Sequence, residues 1–383
     1  MRILFLSTLL PGLRRTGSEV ATQSFVDALR KAGHDVTLLA YRRVNTDPPI
    51  APDDVAAADR HIETLGAGVR PAFWMLRAIA TGRPYSVAKY VGRAYRRAMD
   101  DAHARLRPEL IVLDHAQMAW LIPAGGWDVP TVYLAHNVEH ALHDELSEHG
   151  GPRSWAHRRE ARKISEVERS VLKQASALWT LARTDAEALG ALAPQLPARV
   201  FDIPPVTVPD SPGKPVHDVV TLGGWHWKPN AAGLRWFVEE VAPHLEGRGL
   251  DVVVGGHSGE EIVGAQAGIR PVGQVPDALE FLQSGRLVAV PSTAGAGVQV
   301  KTLDAIASGR RVVATSIAMR GIGDPPDTVR TADDPAEFAN AIINGLHEAV
   351  DEQAGEQARD WASRRTERFQ ADVRDAAEAA RSA

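Results

Sequence analysis

The sequence predicts an α/β protein made of two doubly wound, Rossmann-like domains. Short apolar runs bounded by turn residues alternate with helical stretches, the pattern of a parallel sheet with crossover helices. The alternation stops at a proline-rich stretch and restarts beyond it. A chain of 383 residues also exceeds what one compact core organises.

In chain order, the first strand is Ile3 to Leu6. The run Met1 to Leu10 has one basic residue and no small-residue cleavage site, so it reads as a buried strand rather than a signal segment. Val20, Ser24 and Ala28, with Phe25 and Leu29, repeat at helical spacing until Gly33-His34-Asp35 ends the helix. Strands follow at Asp35 to Ala40, Leu110 to Leu113 and Thr131 to Ala135, and Ile164 to Leu192 reads as two helical pieces around a strand at Ala177 to Leu181. Pro194, Pro197, Pro204, Pro205, Pro209, Pro212 and Pro215 then mark a linker, because neither a helix nor a central strand tolerates that density.

Beyond the linker come a strand at Val219 to Leu222, a helix from Ala231 to Leu245, a strand at Leu250 to Val254, a helix near Ala278, a strand at Leu287 to Val290, a helix near Leu303 and a strand at Arg311 to Ala314. The tail from Asp334 is rich in Ala, Glu and Arg, a helical composition. The expected domains are therefore 1–205, with a terminal helix of about 366–383 packing back on it, and 216–365.

Lys plus Arg number 43 against 48 Asp plus Glu, so no global positive field recommends a nucleic acid partner. The lack of cysteine excludes disulfides, thiolate nucleophiles and Cys-ligated metals, and fits a reducing cytoplasm. No apolar stretch reaches the 18 or so residues of a membrane-spanning helix.

The most informative segment is Pro291-Ser-Thr-Ala-Gly295-Ala-Gly297-Val298-Gln299-Val-Lys301-Thr-Leu-Asp304-Ala-Ile-Ala-Ser-Gly309. A strand ends at Pro291, a glycine-rich loop follows and a helix begins near Val298. Free N–H groups at a helix start favour an anion, and small residues let it approach. Lys301 adds a full charge. Asp304, at i+3, lies beside it on one face, either to accept hydrogen bonds from a ribose or as half of a surface ion pair.

These residues resemble the donor-binding helix of retaining GT-B glycosyltransferases of family 4. Asp304-Ala-Ile-Ala-Ser-Gly309 and Val312-Val-Ala-Thr315 match its second acidic position, its Ala-x-Ala-x-Gly and its Val-Val strand. Ala296 stands where that family usually carries its first Glu, and Gly295-x-Gly297 followed by Lys301 is similar to a subset of the family. The resemblance extends to Leu222-Gly-Gly224-Trp-His-Trp-Lys228-Pro-Asn230, where Lys228 is the cation available to a diphosphate and Asn230 reads as a helix N-cap. It covers Val252-Val-Val-Gly-Gly-His257, with His257 either a donor contact or a turn histidine, and Val272-Gly-Gln-Val275-Pro-Asp, where backbone near Val275 would meet a nucleobase.

In the first half, Pro11-Gly12-Leu-Arg-Arg-Thr-Gly17-Ser18 resembles the loop that closes over the donor, with Gly17 and Ser18 at the helix start. Ala135-His136-Asn137-Val-Glu139-His140 resembles the family's histidine-bearing loop. A histidine at the C-terminal end of a strand faces the ligand crevice of an open α/β sheet. His136 would therefore bond the transferred sugar or the acceptor, unless local backbone satisfies it. His136, His140, His143 and His149 also raise a metal hypothesis, but His-Asn-Val-Glu-His is not the His-Glu-x-x-His of zinc hydrolases and no third ligand is apparent. No metal or cofactor is expected.

From Arg77 to Arg107 cations outnumber acids and alternate with aromatics. The run reads as a solvated helix face with its aromatics in the core, or as a face for anionic lipid or an anionic acceptor. The resemblance implies a two-domain GT-B enzyme that moves a hexose-type sugar from a nucleoside diphosphate to an acceptor (a saccharide, lipid-linked glycan, small aglycone or protein) with retention. His136, Lys228 and Lys301 would be catalytic, and Gly17, Ser18, Gly224, His257, Val275, Gly295, Gly297, Val298, Gln299 and Asp304 would bind the donor across a cleft. Cytoplasmic placement, with peripheral membrane contact through 77–107, is the accompanying expectation. A sugar-nucleotide epimerase and a non-catalytic scaffold are the alternatives, the latter motivated by Ala296. The lack of G-x-G-x-x-G disfavours an NAD-dependent oxidoreductase.

Overall fold

The computed structural model describes the chain except residues 12–15, 45–50, 63–67, 149–153, 207–212, 267, 296, 349–351 and 383. It divides into two compact units, Met1–Phe201 with Phe369–Ala383, and Asp202–Arg368.

The first unit contains β1 (Arg2–Leu9), α1 (Gly17–Lys31), β2 (Asp35–Arg43), β3 (Val55–Arg60), α2 (Arg70–Thr81), α3 (Tyr85–Ala88), α4 (Arg93–Leu106), β4 (Leu110–Asp114), β5 (Thr131–Ala135), α5 (Glu139–Glu148), α6 (Ser154–Gln174), β6 (Ala177–Thr180), α7 (Arg183–Gly190) and β7 (Ala198–Val200). Its seven strands form one sheet in the order β3-β2-β1-β4-β5-β6-β7, and every paired neighbour is parallel. The order steps outward both ways from β1, so the C-terminal ends of β1 and β4 part their crossovers to opposite sides and leave a crevice there. Ile3, Leu4, Phe5 and Leu6 are fully buried, as a central strand covered on both faces requires.

The second unit contains β8 (His217–Leu222), α8 (Lys228–Trp236), β9 (Val252–Gly255), α9 (Gly259–Val263), β10 (Ile269–Gly273), α10 (Ala278–Gln283), β11 (Gly285–Val290), α11 (Val300–Ala307), β12 (Arg311–Ala314), β13 (Val329–Thr331) and α12 (Pro335–His347). Its sheet runs β10-β9-β8-β11-β12-β13, again with parallel pairs throughout. The final helix, α13 (Glu352–Arg381), begins in the second unit and ends in the first.

Two expected helices differ in detail. The stretch expected as Ala231 to Leu245 starts earlier, at Lys228, because Pro229 suits a first helical turn. It then passes into a wider turn with i→i+5 bonding at Phe237–Val241 and a tight i→i+3 turn at Ala242–Leu245. Pro243 lacks an N–H and crowds the preceding turn, which breaks the regular ladder there. The helix expected near Val298 begins at Val300, with Gln299 as its N-cap.

Candidate active site

In the second unit the C-terminal ends of β8, β9 and β11 converge because glycines permit it. A Cβ on Gly256 (φ 112) would collide with the Gly223 carbonyl oxygen, and one on Gly233 of α8 would collide with the Pro291 carbonyl oxygen. The β11–α11 loop itself turns through positive φ at Gly295 (φ 125) and Gly297 (φ 70). Arg320 holds this loop from outside by donating to the Gly295 carbonyl at 2.8 Å.

Lys301, in the first turn of α11, reaches toward the β8–α8 loop. Its Nζ donates to Asn230 Oδ1 at 2.9 Å and lies 5.9 Å from the centroid of the buried Trp225 ring. Trp225 is anchored by its own Nε1–H, which donates to the Gly255 carbonyl at 2.9 Å. Burial pushes the Lys301 pKa down to about 8, and no carboxylate among the described residues pairs with it. A cation taken out of water and left without a counter-charge is a site for an anion. Gln299 gives α11 no side-chain cap, since its amide oxygen instead accepts from Ser292 Oγ at 2.6 Å. The start of α11 is thus open to an acceptor from outside the protein.

Asp304 does not pair with Lys301. Its Oδ1 accepts the Val206 N–H at 3.1 Å, and burial lifts its pKa to about 6, against the pull of that hydrogen bond. Asn230 is not the expected N-cap: it is the third residue of α8, whose cap is Trp227, and its Nδ2 donates to the Gly224 carbonyl at 3.1 Å. Asn230 therefore joins Gly224 to Lys301. Lys228 opens α8 and is exposed, with no hydrogen bond or ion pair among the described residues. His257 is an exposed turn residue bonded to Ser258 Oγ at 2.8 Å, with its ring 5.9 Å from that of His226. Val275 is half-buried in the loop between β10 and α10. Val298 lies just before α11. Ala296 lies outside the described residues.

The first unit builds a second constellation at the ends of β1, β4 and β5. Asp114, the last residue of β4, is fully buried. Its carboxylate accepts from Ser7 Oγ at 2.6 Å, Thr22 Oγ1 at 2.7 Å and His136 Nε2 at 2.6 Å. Burial pushes its pKa up, but the neighbouring His115 and His136 and the hydrogen bonds from His136 and Ser7 outweigh it and hold the carboxyl well below its ordinary range. His136 therefore gives its Nε2 to a carboxylate rather than to backbone, and its buried Nδ1 has no partner among the described residues. His115 sits at φ 74, a backbone conformation rare for any residue but glycine, and its Nε2 meets Ser18 Oγ at 2.9 Å. Burial, with a smaller push from His136, brings its pKa down to about 4 against the pull of Asp114, so the ring is neutral at pH 7. Gly17 is the first residue of α1, and the cap is Thr16, whose side chain accepts the Glu19 N–H at 3.3 Å. Residues 12–15 of this loop lie outside the described residues.

The expected i, i+4 histidine pair does not come together. His140 turns to Glu168 (Nδ1 to Oε2, 2.6 Å), while His136 goes to Asp114; His149 lies outside the described residues. The residues that do converge are Asp114, His115 and His136, each offering one ligand atom within 4.8 Å of the others. Sequence reading missed Asp114 and His115, although an Asp-His pair ending a buried apolar strand was there to be seen. It also missed Glu139, whose pKa burial and the charge of Glu168 raise to about 7. Ser7, Thr8, Ser18, His115, Asn137 and Glu139 line a pocket of about 340 Å³ with Arg43, which is ion-paired to Glu19. Polar side chains make up most of the pocket's lining, and Glu139, its pKa raised to about 7, stands among them, so the pocket can bind hydroxyl groups and exchange a proton with one of them.

Residues 216–348 match the family described as glycosyl transferases group 1, and residues 16–205 match a glycosyl transferase 4-like domain. The chain belongs to the group 1 glycosyltransferases. The glycosyltransferase is similar in structure to sucrose-phosphate synthase from Thermosynechococcus elongatus, with a TM-score of 0.67 at 16% identity over 95% of this chain and 94% of that one. It is similar also to Anabaena Alr3699/HepE, solved in complex with UDP-glucose (TM-score 0.63, 14% identity, 99% and 100% of the two chains). A third likeness is to WaaG, a glycosyltransferase of lipopolysaccharide biosynthesis (TM-score 0.60, 14% identity, 94% and 95%). These likenesses show the GT-B fold. No curated protein sequence matches the chain.

Proposed function

We propose that this glycosyltransferase moves a sugar from a nucleoside-diphosphate sugar to a hydroxyl acceptor with retention at the anomeric carbon and without a metal. The observation that carries the reading is Lys301: a half-buried ammonium in the first turn of α11, beside a positive-φ glycine loop, whose hydrogen-bond partner is the neutral Asn230. The bond from the anomeric carbon to the diphosphate breaks while charge builds on the departing oxygens. Lys301 and the N–H groups at the start of α11 stabilise that charge where it develops. The new bond to the acceptor oxygen forms on the same face, and the acceptor proton passes to the leaving phosphate. Asp304, with one oxygen spent on Val206, keeps the other for a ribose hydroxyl. The acceptor binds in the first unit's pocket, with Ser18, Asn137 and Glu139 facing its hydroxyls. The complex of Anabaena HepE with UDP-glucose supports a nucleotide-sugar donor.

The test is to incubate the protein with UDP-, GDP- and ADP-sugars and a set of hydroxyl acceptors, and to read nucleoside diphosphate release and the product's anomeric coupling by NMR. The expected product keeps the donor's configuration, and Lys301→Ala lowers kcat/KM by about 10²- to 10³-fold. An inverted product, or no release from any donor, overturns the proposal.

A further inference from the structure

Helix α2 is apolar nearly all round: in Arg-Pro-Ala-Phe-Trp-Met-Leu-Arg-Ala-Ile-Ala-Thr only Arg70, Arg77 and Thr81 are polar. Such a helix belongs in a core or in lipid. Yet only Trp74 and Ala78 are buried. Phe73 is 62% exposed, Leu76 66% and Ile79 62%, and Val69, at the N-cap, is 84% exposed. With the exposed Ala72 and Ala80 these residues recur at helical spacing and form one outward stripe three turns long. Of the two sequence readings of this basic, aromatic region, a solvated face with its aromatics in the core or a face for an anionic lipid or acceptor, the first holds for Trp74 and Tyr95 and fails for Phe73.

The charge along the segment that carries the stripe is of one sign. Residues 64–99 contain Arg70, Arg77, Arg83, Lys89, Arg93, Arg96 and Arg97 and no Asp or Glu. Arg77 donates to the neutral carbonyl of Val91 (2.7 Å), and Arg96 donates to that of Leu121 (2.5 Å) with Asp100 as its acidic neighbour. The helix is also held firmly to the unit. Lys163 of α6 donates to the Gly82 carbonyl at its C-cap, and Glu160 accepts the N–H groups of Tyr85 and Ser86, each at 2.8 Å.

We propose that α2 docks the protein on an anionic lipid surface, with Val69, Phe73, Leu76 and Ile79 entering the interface and the surrounding arginines meeting the head groups. The stripe has the handful of apolar side chains that an interfacial helix inserts, short of the 20–30 residues a side of a typical stable protein interface. Among the described residues no helix is long and apolar enough to cross a membrane, so the contact is interfacial.

The chain has no cysteine, so Leu76→Cys accepts a single environment-sensitive fluorophore, with Glu239→Cys in the second unit as control. Vesicles of phosphatidylglycerol and phosphatidylcholine should blue-shift the label at 76 and leave that at 239 unchanged. Co-sedimentation with these vesicles should weaken with added salt and on pure phosphatidylcholine, and should fall by about tenfold or more in Phe73→Ser/Leu76→Ser at an unaltered thermal midpoint. Absence of the shift at 76, or sedimentation that the double variant keeps, overturns the proposal. A chain that is dimeric without lipid and monomeric only as the double variant also overturns it, by assigning the stripe to a second copy.

Discussion

Lys301 is cationic at neutral pH and loses its proton as the pH rises through about 8. Nucleoside diphosphate affinity, read by calorimetric titration, should therefore fall above pH 8 in the wild type. It should persist to higher pH in Lys301→Arg, whose guanidinium stays charged. Asp304 works against folding in the empty protein. Its folded pKa of about 6 lies above the ordinary aspartate value of 3.8, so the folded state holds a proton that the unfolded chain has released, and stability declines as pH rises from about 4 to 6. Asp304→Asn should be more stable than wild type by about 1–3 kcal/mol at pH 7 in urea unfolding, with the gap closing toward pH 4. Asp114 has the opposite sign. Its carboxyl is held low, so its contribution is complete above pH 4 and is lost only as acid reaches the folded pKa. Asp114→Ala strands three donors and should cost about 3–5 kcal/mol at pH 7. Lys301 and Asp304 were legible because a strand, a glycine loop and a helix follow one another in the chain. Asp114 was not, because its partners Ser7, Thr22 and His136 come from three distant segments and no spacing announces them.

At the scale of elements, the strands found by sequence are the inner ones, and the four missed, β3, β7, β10 and β13, are the edges of the two sheets. An inner parallel strand is covered on both faces and reads as an unbroken apolar run. An edge strand is half-wet: β3 is mostly half-buried and β7 wholly exposed. β7 also lies within the proline-rich stretch and β10 contains Pro271, which edges tolerate. The loops that shape the donor side depend on glycines whose necessity only the packing shows. Gly233→Ala drives a methyl into the Pro291 carbonyl at the root of the glycine-rich loop. It should lower the thermal midpoint and weaken nucleoside diphosphate binding together, whereas Gly190→Ala, in open space on α7, should do neither.

At the scale of the molecule, each unit has its own parallel sheet, but the chain's end folds with its beginning. Phe369 packs edge-on to Phe25 (5.0 Å between centroids) within a cluster that includes Trp179 and Phe201. Phe369→Ala should remove about 3–5 kcal/mol from the first unit and leave nucleoside diphosphate binding in place, as calorimetry with and without ligand would report. The Ala-, Glu- and Arg-rich tail announced a helix, but composition does not say which aromatic it delivers to which core.

The central claim is that the glycine loop and Lys301 bind the diphosphate of a sugar donor. A thermal-shift panel of nucleoside diphosphates and their sugar conjugates tests it most directly, because a ligand that binds only the folded state raises the midpoint with its affinity. The account predicts a shift for one base's diphosphate and its conjugates that disappears in Lys301→Ala. A flat panel, or a shift that Lys301→Ala retains in full, would contradict it.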